Sequence, residues 1–420
     1  MLVSVEGACM FSVLRQRNYA LLWSASMVSG IGNYVLLAAL PFFVYASSGS
    51  TLASAGTFVS EMIPMVVFPS IGGIYADRWS RKPVLAASDV VRGGVLVPLF
   101  AVHGTSTLWI VYVVGFLGAS AAHFAGPFGS AAVPHLVEEA DIPSANAAFS
   151  TAGYIAVLVG SPLGGLLLQH MGLPDVVVVD SMSFLFSAGL IATINTPLQA
   201  VGHTPEQESG ADLSAWTDWV SGLKYIRDER WVQLIFAVMI LVFLGNSGIL
   251  VALAPFVRNV LAGSAQLYSW VLTMEGVGGI AASLVVGRVT RRYPPAPLLA
   301  SSILALGALT LVIAAAASLA VTLTLVAMAG FAILIGMVSL NTMLQMWVPD
   351  ELRGRLFGAF LTVSAVASLL GAVGAGLLTD AFGSRLTIGG SGGLDLIAGL
   401  VALVALVPAV LNQPRGAALL

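Results

Sequence analysis

Three stretches of this sequence, 18–60, 93–137 and 293–349, contain no Asp, Glu, Lys or Arg. A soluble domain carries roughly 25% charged residues, whereas this chain of 420 residues is 9% charged and 58% hydrophobic. A water-soluble enzyme is thereby excluded. A membrane-crossing helix needs about 20 apolar residues to span a hydrocarbon core about 30 Å thick, so each uncharged stretch holds more than one crossing. Turn signals at Ser47-Ser48-Gly49-Ser50, Gly104-Thr105-Ser106 and Ala317-Ser318 divide them. The pattern predicts an all-α membrane protein with twelve transmembrane helices, at 19–46, 52–76, 84–103, 107–133, 146–170, 174–195, 232–257, 266–287, 296–317, 319–345, 355–380 and 386–411.

Lys and Arg are retained on the cytoplasmic side of a membrane. With twelve spans, Arg15, Arg17, Arg78, Arg81, Lys82, Arg92, Lys224, Arg227, Arg230, Arg288, Arg291, Arg292, Arg353, Arg355 and Arg415 fall on one side, and only Arg258 and Arg385 on the other. Both termini are therefore expected in the cytoplasm, in a multi-pass protein of the plasma (inner) membrane. The segment before Asn18 lacks the charged-then-apolar order of a cleavable signal, and Met10 is an alternative start. The formal net charge of −3, with basic residues in small groups, offers no phosphate-tracking surface; nucleic acid is not an expected partner. Cys9 is the single cysteine, and with five scattered histidines it forms no metal-ligand spacing. No cofactor or metal is expected, and the chain is expected to work as a monomer in the bilayer.

The longest polar stretch, 196–230, divides the chain into an N-terminal six-helix half, 1–195, and a C-terminal six-helix half, 231–420. Within this linker Trp216, Trp219, Val220, Leu223 and Ile226 recur at helical spacing, which predicts a short amphipathic helix at the inner membrane face. The halves carry an internal repeat, the usual signature of secondary transporters. A shift of 214 residues lays Gly73 on Gly287, Arg78 on Arg292 and Leu85 on Leu299; one residue off it, Gly32-Asn33 meets Gly245-Asn246. The same shift superposes Glu61 on Glu275, near the middle of spans two and eight. A carboxylate at that depth costs roughly 2.5–3.5 kcal/mol, so it needs a partner, a wet cavity or a proton. Low dielectric favours the protonated acid, and one of Glu61 and Glu275, rather than both, is expected to carry a coupling proton. The alternative is a protonated Glu hydrogen-bonded to a neighbouring helix. His123 in span four is either a packing histidine or a proton or substrate contact. Asp89, a turn from Arg92, predicts a local ion pair. Asp180 and Asp380 are expected near the outer, watered ends of their spans, and Asp395 in a glycine-rich packing environment. Asn33, Tyr34 and Asn246 are candidate hydrogen-bonding groups for a substrate cavity, with Phe116 and Phe243 as candidate stacking rings.

The segment Gly73-Ile74-Tyr75-Ala76-Asp77-Arg78-Trp79-Ser80-Arg81-Lys82-Pro83-Val84-Leu85 resembles motif A of the major facilitator superfamily, the loop between spans two and three. Further segments, 11–23, 40–45, 134–137 with 145–147, and 345–355, resemble the twelve-helix drug:proton antiporter branch that includes macrolide and enterobactin exporters. In span five, Ser161-Pro162-Leu163-Gly164-Gly165 resembles the core of the antiporter motif C, where proline bends the helix and glycines allow close approach; Ser161 replaces a Gly of that motif. The resemblance implies two pseudo-symmetric halves with a substrate cavity drawn mainly from spans one, four, seven and ten. It also implies an inner latch in which Gly73 permits close packing at the loop and Asp77, with Arg78, Arg81 and Lys82, meets the N-terminal dipole of span eleven near Gly354. Two departures bear on coupling: span four lacks the Arg of many proton antiporters, and Asn33 stands where relatives often place an acid. Both move the expectation of a titrating group towards Glu61 and Glu275.

Together these features point to a secondary active transporter, not an enzyme, that exports amphipathic small molecules of drug, macrolide or siderophore type on the proton gradient. A narrow-specificity importer or exporter and a non-transporting sensor are the alternatives. Gly389-Gly390-Ser391-Gly392-Gly393 fits the Gly-x-Ser-x-Gly pattern, but no His follows Ser391 to complete a triad; a glycine-rich helix end is expected there. No phosphate-binding Gly-x-x-x-x-Gly-Lys loop occurs, so the energy source is not expected to be ATP.

Overall fold

The computed structural model describes residues 11–76, 78–196, 227–348 and 350–411. The predicted linker helix, Cys9, Met10 and Asp77 lie outside the described residues. Among the described residues twelve helices are long and apolar enough to cross a membrane, and no strand occurs. Their α-helical parts are α1 (Arg17–Ser48), α2 (Thr51–Ala76), α3 (Arg81–Val95), α4 (Trp109–Ala132), α5 (Ile142–His170) and α6 (Leu173–Ala192), then α7 (Arg230–Pro255), α8 (Ala265–Arg292), α9 (Pro295–Ala315), α10 (Leu319–Trp347), α11 (Asp350–Phe382) and α12 (Ser384–Val401), the third crossing running on to Ala101 and the twelfth to Val410. Every predicted span meets one helix. In lipid each backbone polar group must be satisfied within the chain, which leaves helices as the available answer to these apolar runs.

The helix ends follow local chemistry. Gly49 closes α1 at φ 69°, a left-handed conformation that favours glycine, and its N–H donates to Tyr45 O. At the start of α2, Ser50 Oγ accepts the Ala53 N–H at 3.2 Å, while the Thr51 and Leu52 amides donate to the Asp380 carboxylate at 2.6 and 3.1 Å. Ser50 Oγ itself donates to Asp380 at 2.8 Å. A carboxylate on the unsatisfied amides of a helix N-terminus is the favourable sign for its dipole.

Contacts divide the chain into two compact units, one of Met1–Gly49, Gly56–His203 and Ser264–Thr273, the other of Ser50–Ala55, Thr204–Gly263 and Met274–Leu420. In the first, Tyr19, Leu22, Ala132, Ala145, Ala148 and Ile191 form a buried cluster, tied by Tyr19 Oη donating to Ala145 O at 2.6 Å and Trp23 Nε1 to Ala148 O at 2.7 Å. Glycine sets the spacing of α1 and α5: a Cβ at Gly160 would stand 2.5 Å from Ile31 O, and one at Gly164 2.9 Å from the Val35 carbonyl carbon. Small residues that let backbones approach are the usual means of helix association in lipid. In the second unit a larger cluster of α7, α9, α10, α11 and α12 includes Trp231, Ile235, Leu299, Met343 and Phe360, with Trp231 and Trp347 edge to face at 6.0 Å. Here α8 and α10 use glycines reciprocally, Gly278 against Ala327 and Gly330 against the backbone of Glu275.

Two packing expectations change. A Cβ at Gly73 would meet nothing within 4 Å; its neighbour Gly72 instead lies against the Phe124 backbone, so close approach at this end of α2 belongs to Gly72. Ser391 is not at a helix end but inside α12, 5% exposed, where Gly248 of α7 packs against its hydroxyl.

Candidate functional site

Within the first unit, α1, α2, α3, α4 and α6 surround a cavity of about 180 Å³. Five of its lining side chains carry polar or charged heads: Asn33, Glu61, Arg92, His123 and Asp180. Three of them, Glu61, His123 and Asn33, are expected from the sequence, and the structure brings them together. The sequence reading gives Arg92 only to Asp89. Its guanidinium does lie 3.7 Å from Asp89 Oδ1, but it also donates to Asn33 Oδ1 at 3.0 Å and covers the Phe184 ring at 4.0 Å from the centroid. Span four has no arginine; α3 supplies one to the space that α4 lines. Asp89 is held in turn by the Ser187 hydroxyl, which donates to Oδ2 at 2.5 Å.

Asp180 lies near an end of α6, as expected, but without the expected access to water. It is 0% exposed, because Gly32 lets α1 lie directly over it: a Cβ there would stand 2.6 Å from Asp180 Oδ1 and 2.7 Å from Ser183 Cβ. Its Oδ2 has no hydrogen-bond partner among the described residues, and neither does Arg92 Nε. The other unit mirrors the arrangement. Asp395, 215 residues on, is also 0% exposed, faces Gly245 at 3.1 Å from a built Cβ, and has neither carboxyl oxygen hydrogen-bonded among the described residues. The repeat thus aligns a second pair of acids besides Glu61 and Glu275. The signal was present in the sequence, a lone Asp inside each of the apolar runs 176–186 and 394–407.

A second cavity of about 190 Å³, within the second unit, has a different lining. Met239, Val242, Phe243, Ile303, Leu306 and Met337 make it apolar, and Glu275, Asn246 and Ser302 are its polar groups. Phe243, Asn246 and Glu275 are three of the sequence candidates. The elements are α7, α8, α9 and α10; the two cavities together draw on spans one, four, seven and ten, and on α2, α3, α6, α8 and α9 besides. Tyr34 and Phe116 line neither cavity: Tyr34 packs over Gly160 of α5, and Phe116 is 37% exposed on α4.

The motif residues between α2 and α3 have partners of their own. Arg81, 6% exposed, lies 3.0 and 3.1 Å from the ring nitrogens of His135, and Lys82 Nζ donates to Ile194 O at 2.8 Å. These contacts hold the start of α3 to the ends of α4 and α6. Arg78 is exposed. In α5, Pro162 sits inside the helix, Gly164 lies against Val35 and Gly165 against Ser269 and Ala265, the close approach expected of that motif. No group of three or more metal-ligating side chains occurs among the described residues.

Comparison with known proteins accords with this architecture. Residues 8–415 match the model of a family described as transmembrane secretion effector, one of the MFS families. The MFS-type transporter YfiS of Bacillus subtilis is 24% identical over 409 residues, covering 93% of each chain. The multidrug efflux pump Tap of Mycolicibacterium fortuitum is 25% identical over 384 residues, covering 86% of this chain and 89% of its own. Among solved structures, the nucleoside transporter NupG superposes with a TM-score of 0.70 at 16% identity, over 92% of this chain and 98% of NupG; that likeness speaks to the fold. A match over nearly the whole length, with twelve spans and the motif between α2 and α3, places the chain in the transmembrane secretion effector family of major facilitator superfamily transporters.

Proposed function

We propose that this transporter exports amphipathic small molecules by alternating access, driven by protons entering in the opposite direction. The observation that carries the reading is the division of labour between the two cavities. The cavity of the first unit sets Glu61, Asp180, Arg92 and His123 among leucines and small residues, four groups that exchange protons or stabilise charge. The cavity of the second unit is apolar, with Phe243 and two methionines beside Glu275 and Asn246. Flexible thioethers and an aromatic face suit ligands of varied shape, and one carboxyl with one amide gives such a ligand a polar anchor. The name multidrug efflux pump carried by Tap supports the same substrate class.

In this reading one of Glu61 and Glu275 takes up the coupling proton, the motif of Gly73, Asp77, Arg78, Arg81 and Lys82 latches the inner side, and both termini lie in the cytoplasm. The test is export of a panel of dyes, macrolides and siderophores from cells expressing the wild type, Asp77→Asn or Glu61→Gln, with and without a protonophore. Protonophore-sensitive export that either substitution abolishes is the expected result. Uptake of a panel compound, or no movement of any compound by correctly inserted protein, would replace broad efflux by a narrow-specificity carrier.

A further inference from the structure

Arg92 stands between two cavities. On one side is the space lined by Glu61, His123 and Asp180; on the other is a second space of about 180 Å³ lined by Ser26, Ser29, Ser88, Asp89 and Ser130. The arginine is the one residue with a cationic head common to both linings. Three acids surround this single guanidinium: Asp89 pairs with it at 3.7 Å, and Glu61 and Asp180 line the same cavity. Buried charges are retained only when paired or neutralised, so three carboxylates beside one cation require protons. Arg92 is engaged with Asp89 and Asn33, while Asp180 Oδ2 and Arg92 Nε are both buried and without a hydrogen-bond partner among the described residues.

We infer that Asp180 and Arg92 form a proton-exchange switch between these two cavities. When Asp180 carries a proton, Arg92 rests on Asp89 and Asn33, as in this structure. When the proton leaves the Asp180 carboxyl for water in the cavity, the carboxylate draws the guanidinium away from Asp89, which keeps the Ser187 hydroxyl. The arginine stays protonated throughout, and no other bond changes. The groups facing Asp180 from the surrounding helices are Asn33 of α1, Glu61 of α2, Arg92 of α3 and His123 of α4, with Ser183 on α6 itself. Asp395 occupies the matching place in the other half, but the repeat sets Leu306 where Arg92 would fall. Asp395 therefore has no such cation to exchange, and the switch belongs to the first unit alone.

The inference rests on proton coupling for its purpose, but its first test does not involve transport. Wild-type protein in proteoliposomes is treated with dicyclohexylcarbodiimide, which reacts with protonated carboxyls, between about pH 5 and pH 9, and labelled peptides are mapped by mass. Asp180 should label in acid and lose labelling as pH rises. In the charge-balanced Arg92→Met/Asp89→Asn variant labelling should persist to a pH about one unit higher or more, because the carboxylate has lost its cation. In transport, Asp180→Asn should cut export driven by a pH gradient about tenfold or more while substrate exchange at equal pH continues; Asp395→Asn should retain gradient-driven export. Absence of Asp180 labelling at every pH, or an unshifted profile without Arg92, overturns the switch even if Asp180→Asn fails to insert. Gradient-driven export by Asp180→Asn at the wild-type rate overturns it as well. Titrating, Arg92-dependent labelling in a protein whose export ignores protonophores would keep the switch and reject proton-driven export.

Discussion

Replacing Arg92 by methionine removes the guanidinium while keeping most of the side-chain volume, and the structure sets the size of the effect. The ion pair with Asp89 spans 3.7 Å, with side-chain exposures of 16% and 11%. At an effective dielectric of about 20 the Coulomb attraction is about 4.5 kcal/mol. The charged hydrogen bond to Asn33 at 3.0 Å is of a kind that contributes roughly 1.5–3 kcal/mol, and the contact with the Phe184 face at 4.0 Å about 2 kcal/mol when desolvated. Desolvation of both ions offsets most of this sum, so the useful quantity is the cost of stranding Asp89. Removing one member of a buried pair costs about 3–5 kcal/mol, which for a unit of this size lowers the melting temperature by on the order of 10 °C. Arg92→Met/Asp89→Asn no longer strands a charge, and should recover about 1–3 kcal/mol of the loss as a coupling energy. Tryptophan fluorescence during heating of the four purified proteins closes the cycle. Additive losses, with no recovery in the double variant, would refute the reasoning that Arg92 and Asp89 act as one buried pair.

Three further outcomes follow from the geometry. Gly164→Val forces side-chain atoms into the Val35 backbone and should destabilise by about 1–3 kcal/mol, whereas Gly153→Ala on the same helix meets nothing within 4 Å and should be neutral or stabilising by up to about 1 kcal/mol; melting curves compare them. Asp380→Ala strips the acceptor from the Thr51 and Leu52 amides, so hydrogen exchange at the start of α2 should accelerate while α9 is unaffected, at a cost of about 1 kcal/mol for the lost cap. Phe243→Ala and Glu275→Gln remove the ring and the carboxyl of the apolar cavity; each should raise the KM for exported dyes about tenfold or more with expression unchanged.

The spans were legible because uncharged runs admit few alternatives: the gap between Arg292 and Asp350 had to hold two crossings, and α9 and α10 fill it. The repeat made Glu61 and Glu275 visible, and Asn246 and Phe243 followed from span seven. Asp180 escaped because a sequence reports distance from a helix end but not rotation about the helix axis. It lies only two turns into α6, yet Gly32 brings α1 over it and shuts water out. The same limit hid the reach of Arg92, whose neighbour at three residues explained it locally while its contacts with Asn33 and Phe184 come from other helices. Gly72 and Gly73 are indistinguishable as residue types, and only the path of Phe124 decides between them.

The central claim, that a charged first-unit cavity moves protons against a substrate held elsewhere, is tested most directly in proteoliposomes enclosing a pH-sensitive dye. With no pH gradient imposed, a gradient of an exported dye-like cation or macrolide across the membrane should drive protons the opposite way, and Glu61→Gln should abolish this proton movement while substrate exchange continues. Substrate flux through the wild-type protein with no accompanying proton movement would contradict the account.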